Sequence, residues 1–283
     1  MNILTFDIEE WFHIQMDPHF NTEVNWQNYE GRIEKNMETI FNLLEENNQK
    51  ATFFCLGWVA RKYPHILKKI DAYGHEIGSH SDMHLIAYQQ NRQEYRSDFE
   101  TALKAIEDTI GKKVISYRAP AFSITDDNKW ALEVMAENGV TIDCSIFPAE
   151  RDYGGFKNFG KAEPCIIQYG DYEIKEFPMN SYTLLGKEFI FSGGGYFRFF
   201  PLWAIKRMIK DSPYVMTYFH PREFDVSQPM MKELPMHRKF KSYYGLKSAY
   251  RKLETIIKEF EFLDLGNAVN SIDWDQVSKI RIA

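Results

Sequence analysis

Short apolar runs alternate with longer amphipathic segments along this chain, and such alternation is typical of α/β proteins. The apolar runs predict strands near residues 2–8, 51–56, 76–79, 114–118, 141–146, 173–178, 214–220 and 261–265. The amphipathic segments predict helices near residues 32–48, 58–73, 92–110, 127–138, 201–210 and 246–260. We therefore predict one α/β domain over residues 1–225 and a C-terminal extension over residues 226–283 that packs on the same domain.

The composition argues against several classes of protein. The chain has 283 residues, of which 44% are hydrophobic, so it can bury a substantial core. Its 34 Lys and Arg and 40 Asp and Glu give a net charge of −6, so no overall basic field favours nucleic acid or anionic lipid. No run approaches the roughly 18–20 apolar residues of a transmembrane helix, and no secretory leader precedes the first strand. We expect a soluble, cytoplasmic protein.

Two histidines four residues apart, His80 and His84, suggest a metal site. On one face of a helical turn both imidazoles can reach a single cation. The acidic strand end at Asp7 and Glu9 can supply a third ligand, and the remaining positions would stay open for water and substrate, as in catalytic metal sites. Alternate residues of a strand share a face, so Asp7 and Glu9 can divide metal binding and proton transfer between them. Glu10 is an alternative ligand if the strand ends early.

Other polar residues fall at the C-terminal ends of predicted strands, the end that forms the catalytic face of a parallel barrel. Arg118 closes one strand and needs a carboxylate partner there. Asp143 lies inside an apolar run and needs a hydrogen-bond partner. His220 ends the most hydrophobic strand, and an Asp–His pair would suit a general acid. The alternative for each is a hydrogen-bonded core residue without a catalytic role.

Together these motifs resemble the polysaccharide deacetylase family, which includes chitin-oligomer and peptidoglycan deacetylases. The motifs that carry the resemblance, in chain order, are Thr5-Phe6-Asp7, His80-Ser81-Asp82-Met83-His84, Arg118-Ala119-Pro120, Asp143 and Phe219-His220. Residues 7–13, 192–198, 219–225 and 237–246 are similar to the exosortase-associated subgroup. The resemblance implies a distorted (β/α) barrel, TIM-like but with fewer than eight regular units.

The resemblance also implies a metal-dependent hydrolase that removes N-acetyl groups from amino sugars of a bacterial polysaccharide or its precursor, consistent with exopolysaccharide biosynthesis. It implies one divalent metal ion, with zinc expected and cobalt or nickel as alternatives. The implied ligands are Glu9, His80 and His84. Many relatives carry two adjacent aspartates after Thr-Phe, whereas position 8 here is Ile, so Glu9 takes the place of the second.

The implied catalytic roles follow the same motifs. Asp7, steered by Arg118, acts as the base, and His220, oriented by Asp143, protonates the leaving amine. A backbone N–H near Ala121 stabilises the oxyanion.

The predicted partner is an N-acetylated oligosaccharide or polysaccharide. The residues expected either to contact sugar or to pack the C-terminal region are Trp11, His13, Tyr196 and Arg198. The run Gly193-Gly194-Gly195 lacks the context of a phosphate-binding loop, and a flexible segment that approaches a ligand accounts for it better. Two other functions stay open: an amidohydrolase acting on a small non-sugar amide, and a non-catalytic protein for glycan binding or assembly.

Overall fold

The computed structural model describes residues 1–14, 19–149, 153–160, 162–184 and 187–282. The chain forms two compact units, each built from two segments. Unit 1 comprises residues 1–52 and 181–268, and unit 2 comprises residues 53–180 and 269–283. The predicted domain boundary after residue 225 stays a prediction, since both sides of it lie within unit 1.

The strands in the described ranges are β1 (Asn2–Ile3), β2 (Thr5–Ile8), β3 (Thr52–Cys55), β4 (Glu76–Ser79), β5 (Ser116–Tyr117), β6 (Ile142–Asp143), β7 (Cys165–Tyr169), β8 (Tyr172–Glu176), β9 (Tyr182–Leu184), β10 (Lys187–Phe189), β11 (Val215–Met216) and β12 (Lys279–Arg281). The α-helices there are α1 (Glu23–Trp26), α2 (Ile33–Glu46), α3 (Gly57–Lys62), α4 (Pro64–Ala72), α5 (Arg92–Ile110), α6 (Trp130–Glu137), α7 (Gly194–Phe199), α8 (Leu202–Asp211), α9 (Met236–Tyr243), α10 (Leu246–Glu259) and α11 (Leu265–Asn270). Short 3₁₀ helices cover Trp11–Ile14, Ala87–Gln89, Pro120–Phe122 and Pro221–Phe224.

In unit 1 the first strands run beside the segment that ends at His220. β1 pairs in parallel with β11, and an isolated parallel bridge joins Phe6 to Phe219. The N–H of Asp7 donates to the carbonyl of Phe219 at 2.8 Å, and the N–H of Phe219 donates to the carbonyl of Thr5 at 3.1 Å. This pairing brings the acidic end of β2 next to His220.

Unit 2 contains a mostly parallel sheet with the strand order β12-β7-β8-β6-β5-β4-β3. The pairs β4–β5, β5–β6, β6–β8 and β12–β7 are parallel, whereas the hairpin β7–β8 is antiparallel. The ends of β4, β5 and β6 therefore place His80, Arg118 and Asp143 at one edge of this sheet.

The bounds of the helices are explained by residues at their ends. α5 matches its predicted bounds because Asn91 and Glu94 form a reciprocal capping box, while Gly111 (φ +70°) ends the helix in the left-handed conformation. The helix predicted over residues 58–73 is instead two helices, α3 and α4. Pro64 is the cause: it occupies the first turn of α4, and its ring lacks the N–H that a continuous helix would need.

The three cysteines, Cys55, Cys144 and Cys165, are buried and unbridged. Burial raises the pKa of the Cys144 and Cys165 thiols above their ordinary value. No helix in the described ranges combines the length and apolar character needed to cross a membrane.

Candidate active site

Two carboxylates and one imidazole meet at the end of β2 in unit 1. The Nε2 atom of His220 lies 3.8 Å from Oδ2 of Asp7 and 3.6 Å from Oε1 of Glu9. Both acids are buried, whereas the His220 side chain is 21% exposed. Asp7 lies on β2 and Glu9 one residue past its end, and both carboxylates approach the same nitrogen of His220. The group therefore combines proton acceptors and a proton donor around one partly accessible ring.

Glu10 points to a different part of unit 1. Its carboxylate accepts hydrogen bonds from the N–H groups of Arg32 (2.8 Å) and Ile33 (3.0 Å), at the start of α2, and from Trp11 (3.4 Å). Burial raises the pKa of Glu10 to about 7, although these hydrogen bonds oppose the shift. Glu10 thus supports the first turn of α2, and of the two adjacent acids it is Glu9 that lies beside His220.

Glu223, which the sequence analysis missed, lies on the other side of the His220 ring. Its Oε1 atom is 3.5 Å from Nδ1 of His220 and accepts a hydrogen bond from Nη1 of Arg198 at 2.6 Å. Within unit 1, Glu223 is therefore an acid that lies beside the Nδ1 side of this imidazole. Burial lowers the pKa of His220, but Glu9, Glu223 and Asp7 outweigh it, so the pKa is raised from its ordinary value.

In unit 2 the His80 and His84 rings lie together, with centroids 5.3 Å apart. The expectation that a helical turn brings them together is wrong. The segment is an irregular loop in which Ser81 (φ +72°) and His84 (φ +55°) are left-handed. The Nδ1 atom of His80 lies 2.7 Å from the carbonyl of Arg118. A carbonyl only accepts, so Nδ1 is the donor, and Nε2 is the unprotonated nitrogen of the neutral His80 ring.

The loop between the histidines is fixed by its neighbours. The N–H of Gly57 donates to the carbonyl of Ser81 at 3.0 Å, and Arg61 binds the Asp82 carboxylate through both terminal nitrogens at 2.5 and 3.0 Å. Asp98 accepts hydrogen bonds from the N–H groups of Asp82 (2.9 Å) and Met83 (3.1 Å). Burial raises the pKa of Asp98 to about 6.

The sequence analysis also missed Asp98. A signal for it was available, because this half-buried acid lies three residues after Tyr95 and four before Ala102, which are both on the buried stripe of α5. A charged residue beside such a stripe needs partners, and here the partners are the backbone N–H groups between the two histidines.

Arg118 and Asp143 are both fully buried in unit 2. The guanidinium of Arg118 lies over the Phe54 ring, 4.3 Å from its centroid. Asp143 accepts a hydrogen bond from the Ser145 hydroxyl at 2.5 Å and is the register partner of Glu176 on β8. Burial raises the pKa of Asp143 to about 6 and that of Glu176 well above its ordinary value. Glu176 was not predicted, since only the pairing of β6 with β8 brings it to Asp143.

The residues expected to contact sugar lie in different environments. Trp11 is buried and donates from Nε1 to the carbonyl of Glu30 at 3.0 Å, and His13 is buried with its ring 4.3 Å from that of Trp26. Arg198 is buried and bound to protein groups, whereas Tyr196 is 45% exposed. Packing therefore accounts for Trp11, His13 and Arg198, and Tyr196 keeps an accessible ring.

Ala121, the residue expected to supply an oxyanion-stabilising N–H, has a left-handed backbone (φ +53°, ψ +20°). Phe122 follows with φ +55°. Left-handed conformations are uncommon for residues with a side chain, and such strained positions concentrate at functional sites.

Comparison with known proteins agrees with these motifs. Residues 16–142 match the family described as polysaccharide deacetylase, and residues 144–270 match a domain of unknown function, DUF3473. A peptidoglycan-N-acetylglucosamine deacetylase of Bacillus cereus is 31% identical over 127 residues, which are 44% of this chain and 46% of that protein. A chitooligosaccharide deacetylase of Azorhizobium caulinodans is 30% identical over 82 residues, which are 29% of this chain and 39% of that protein. The chain thus spans less than half the length of these relatives.

The structural similarity to a known protein covers more of the chain than these two sequence matches. A solved structure from Mycobacterium smegmatis, assigned to the polysaccharide deacetylases, covers 98% of this chain and 91% of its own, with a TM-score of 0.66 and 17% identity. At that identity the likeness shows the fold alone. It confirms the predicted α/β fold of the polysaccharide deacetylase type, with its mostly parallel sheet and distorted barrel.

Proposed function

We propose that this chain is a metal-dependent hydrolase that removes N-acetyl groups from amino sugars of a bacterial polysaccharide or its precursor, on the premise that residues 16–142 match the polysaccharide deacetylase family. The observation that carries the proposal is the meeting of Asp7, Glu9 and His220 at the end of β2. Amide hydrolysis needs a base to activate water and an acid to protonate the leaving amine. Two buried carboxylates beside a partly exposed imidazole can supply both groups.

Deacetylases of this family use a divalent metal. The ligands we propose are Glu9, His80 and His84, each of which offers one buried donor atom. Two neutral imidazoles and a carboxylate fit zinc, which is the ion we propose. Cobalt and nickel fit the same ligands and are the alternatives. The hydrogen bond from Nδ1 of His80 to the Arg118 carbonyl fits this assignment, because it orients the ring and leaves Nε2 for coordination. When bound, such an ion lowers the pKa of a water molecule and polarises the acetyl carbonyl.

The chain's own residues then divide the proton transfers. Asp7 accepts the proton of the attacking water, and Nε2 of His220 donates a proton to the departing amine nitrogen. The N–H of Ala121 is the proposed donor to the oxyanion, and its left-handed backbone supports that role. Arg118 and Asp143 are proposed as buried supports of the base and the acid, as the family resemblance implies.

The finer assignment is also a proposal. Membership of the exosortase-associated subgroup and action in exopolysaccharide assembly rest on the motifs over residues 7–13, 192–198 and 219–225. Free chitin oligomers and a lipid-linked N-acetylated oligosaccharide, assayed side by side, would distinguish a polymer-trimming enzyme from one that acts on a precursor.

The direct test is acetate release from N-acetylated sugar oligomers by metal-stripped protein, with and without added zinc. We expect release only with the metal, its loss in Asp7→Asn with zinc binding retained, and the loss of both binding and release in His80→Gln. Asp127→Asn, at an exposed position, is the matched control and should behave as the unmodified protein. Stoichiometric zinc without release from any N-acetylated sugar would overturn the proposed substrate class, and absence of zinc binding would overturn the proposed site.

A further inference from the structure

We propose that Glu223 is a positioning residue for His220: its carboxylate, anchored by Arg198, holds the Nδ1 edge of the imidazole so that Nε2 faces Asp7 and Glu9. This rests on the proposed function for its catalytic meaning, but the geometry belongs to unit 1 alone. Glu223 would touch neither metal nor substrate, and it would act through His220.

The first support is the position of the two side chains on one tight turn. His220 precedes the 3₁₀ helix Pro221–Phe224, and the N–H of Glu223 donates to the carbonyl of His220 at 2.9 Å. The turn sets Oε1 of Glu223 3.5 Å from Nδ1 of His220. Within the described residues, Nδ1 of His220 and Oε2 of Glu223 are buried without a hydrogen-bond partner of good geometry. A small rotation of the carboxylate would satisfy the imidazole N–H, which otherwise bears a desolvation cost.

The second support is the anchoring of Glu223 by Arg198. Nη1 of Arg198 donates to Oε1 of Glu223 at 2.6 Å, Nε donates to the carbonyl of Tyr244 at 3.0 Å, and Nη2 donates to the carbonyl of Lys241 at 2.6 Å. Both side chains of the ion pair are almost fully buried. A guanidinium fixed at each nitrogen holds its carboxylate partner in one place.

The charge state of Glu223 agrees with this role. Burial raises the pKa of Glu223, but Arg198 and His220 outweigh it, so the pKa is held below its ordinary value and the carboxylate stays ionised. An ionised acceptor at Nδ1 stabilises the imidazolium form of His220, the form that carries the proton to be donated.

The third support is that the anchor explains the glycine run. A side chain at Gly193 would meet the carbonyl oxygen of Tyr218 well inside van der Waals contact, and Gly245 (φ +76°) has the Arg198 carbonyl 2.9 Å from where its Cβ would be. Glycines therefore let α7 and the segment before α10 approach closely enough for Arg198 to reach both Glu223 and the backbone carbonyls. The glycines over residues 193–195 are therefore explained by the position of Arg198, without a bound phosphate or sugar.

The chemical consequence concerns which nitrogen carries the transferred proton. With Nδ1–H held by Glu223, the proton on Nε2 moves to the amine nitrogen as the carbon–nitrogen bond breaks and its electron pair passes to that nitrogen. The product is a neutral imidazole whose remaining proton is still on Nδ1. Without an acceptor at Nδ1, the neutral ring is free to adopt the opposite tautomer, with the lone pair on the wrong side.

Glu223→Gln gives a sharp test, because Arg198 would take the amide oxygen and turn the amide NH₂ towards Nδ1. An NH₂ at Nδ1 imposes the Nε2–H tautomer. We expect ¹⁵N NMR spectra of the metal-free protein at a pH where the ring is neutral to show Nδ1–H for His220 in the unmodified chain and Nε2–H in Glu223→Gln, with His220→Gln identifying the signal. We also expect kcat to fall roughly 10²-fold and KM to change less than about threefold.

Glu233→Gln, an exposed glutamate in the same unit, is the matched control and should change neither the tautomer nor kcat. An unchanged Nδ1–H tautomer together with unchanged kcat in Glu223→Gln would overturn the proposal. If that variant does not fold, the double variant Arg198→Met/Glu223→Met removes both buried charges, and retention of Nδ1–H there would overturn it equally. The tautomer measurement needs no turnover, so it separates failure of this inference from failure of the proposed deacetylase activity.

Discussion

At the scale of single residues, Glu9 and Glu10 show how one step along the chain changes the task of a carboxylate. Glu9 lies beside His220, whereas Glu10 accepts backbone hydrogen bonds at the start of α2. We expect Glu9→Gln to weaken zinc binding at least 10²-fold, since even residues outside the ligand shell cost about 10–100-fold. Glu10→Gln should bind zinc within about threefold of the unmodified protein. Competition with a chromogenic chelator measures both, and the reverse ranking would show that Glu10 is the ligand.

The buried Asp143 and Glu176 give a pH prediction, also at the residue scale. Burial raises the pKa of both carboxyls, to about 6 for Asp143 and well above the ordinary value for Glu176. The native state therefore binds more protons than the unfolded state between about pH 4 and pH 6 and beyond. The stability contributed by Asp143 is present below about pH 4 and is lost as the pH rises through 6, and the raised pKa of Glu176 acts in the same direction.

Glu176→Gln tests this sign. The amide keeps the size of the side chain, can accept from Ile146 N–H as Glu176 does at 3.2 Å, and can donate to Asp143 without a proton to lose. We expect a gain of about 1–3 kcal/mol in the free energy of unfolding at pH 8 and little change at pH 5, measured by urea denaturation. Glu173→Gln, an exposed site on β8, should leave the profile unchanged. A Glu176→Gln profile parallel to that of the unmodified protein would show that the pair does not titrate as described.

At the scale of elements, the loop from His80 to His84 depends on α5. The Asp98 carboxylate holds two of its backbone N–H groups, and the loop carries left-handed residues that a free chain rarely populates. We expect Asp98→Ala to cost about 1–3 kcal/mol of stability and to weaken zinc binding about tenfold, although Asp98 is not a proposed ligand. Glu100→Ala, on the exposed face of α5, should do neither. Equal zinc affinity in Asp98→Ala, measured by calorimetry, would mean that the loop keeps its shape unaided.

The helices and strands also show how much of the fold can be predicted from the sequence. α5 and β4 were predicted with their observed bounds, because a capping box, a terminal glycine and a bracketed apolar run are local signals. The predicted strand near residues 261–265 is only a bridge between Ile3 and Leu263, and α9 was missed because none of its residues is buried, so its sequence carries no core-facing stripe.

The candidate site likewise contains residues that the sequence predicts and residues that it does not. Asp7, Glu9 and His220 could be brought together from strand ends alone. Glu176 and Glu223 could not, because Glu176 acquires its role from the pairing of β6 with β8 and Glu223 from the shape of a turn. A motif identifies the residues that do the chemistry more readily than those that hold them.

At the scale of the whole molecule, a bound cation adds its binding energy to stability. A ligand that binds only the folded protein at about 100 times its Kd stabilises it by about 2.7 kcal/mol. For a chain of this size we expect zinc to raise Tm by a few degrees over metal-stripped protein, and EDTA to reverse the rise. His84→Gln should show no rise. A zinc-induced increase of the same size in that variant would place the stabilising ion elsewhere.

Labelling of the three buried thiols can be used to measure local unfolding of unit 2. Cys55, Cys144 and Cys165 all lie in unit 2, out of reach of solvent. An alkylating reagent therefore reacts only with molecules in which part of unit 2 has come apart, and the rate of labelling reports the frequency of that event. Mass spectrometry of each modified peptide would measure separately how fast β3, β7 and the segment after β6 become exposed. Unit 1 has no cysteine and would not be labelled.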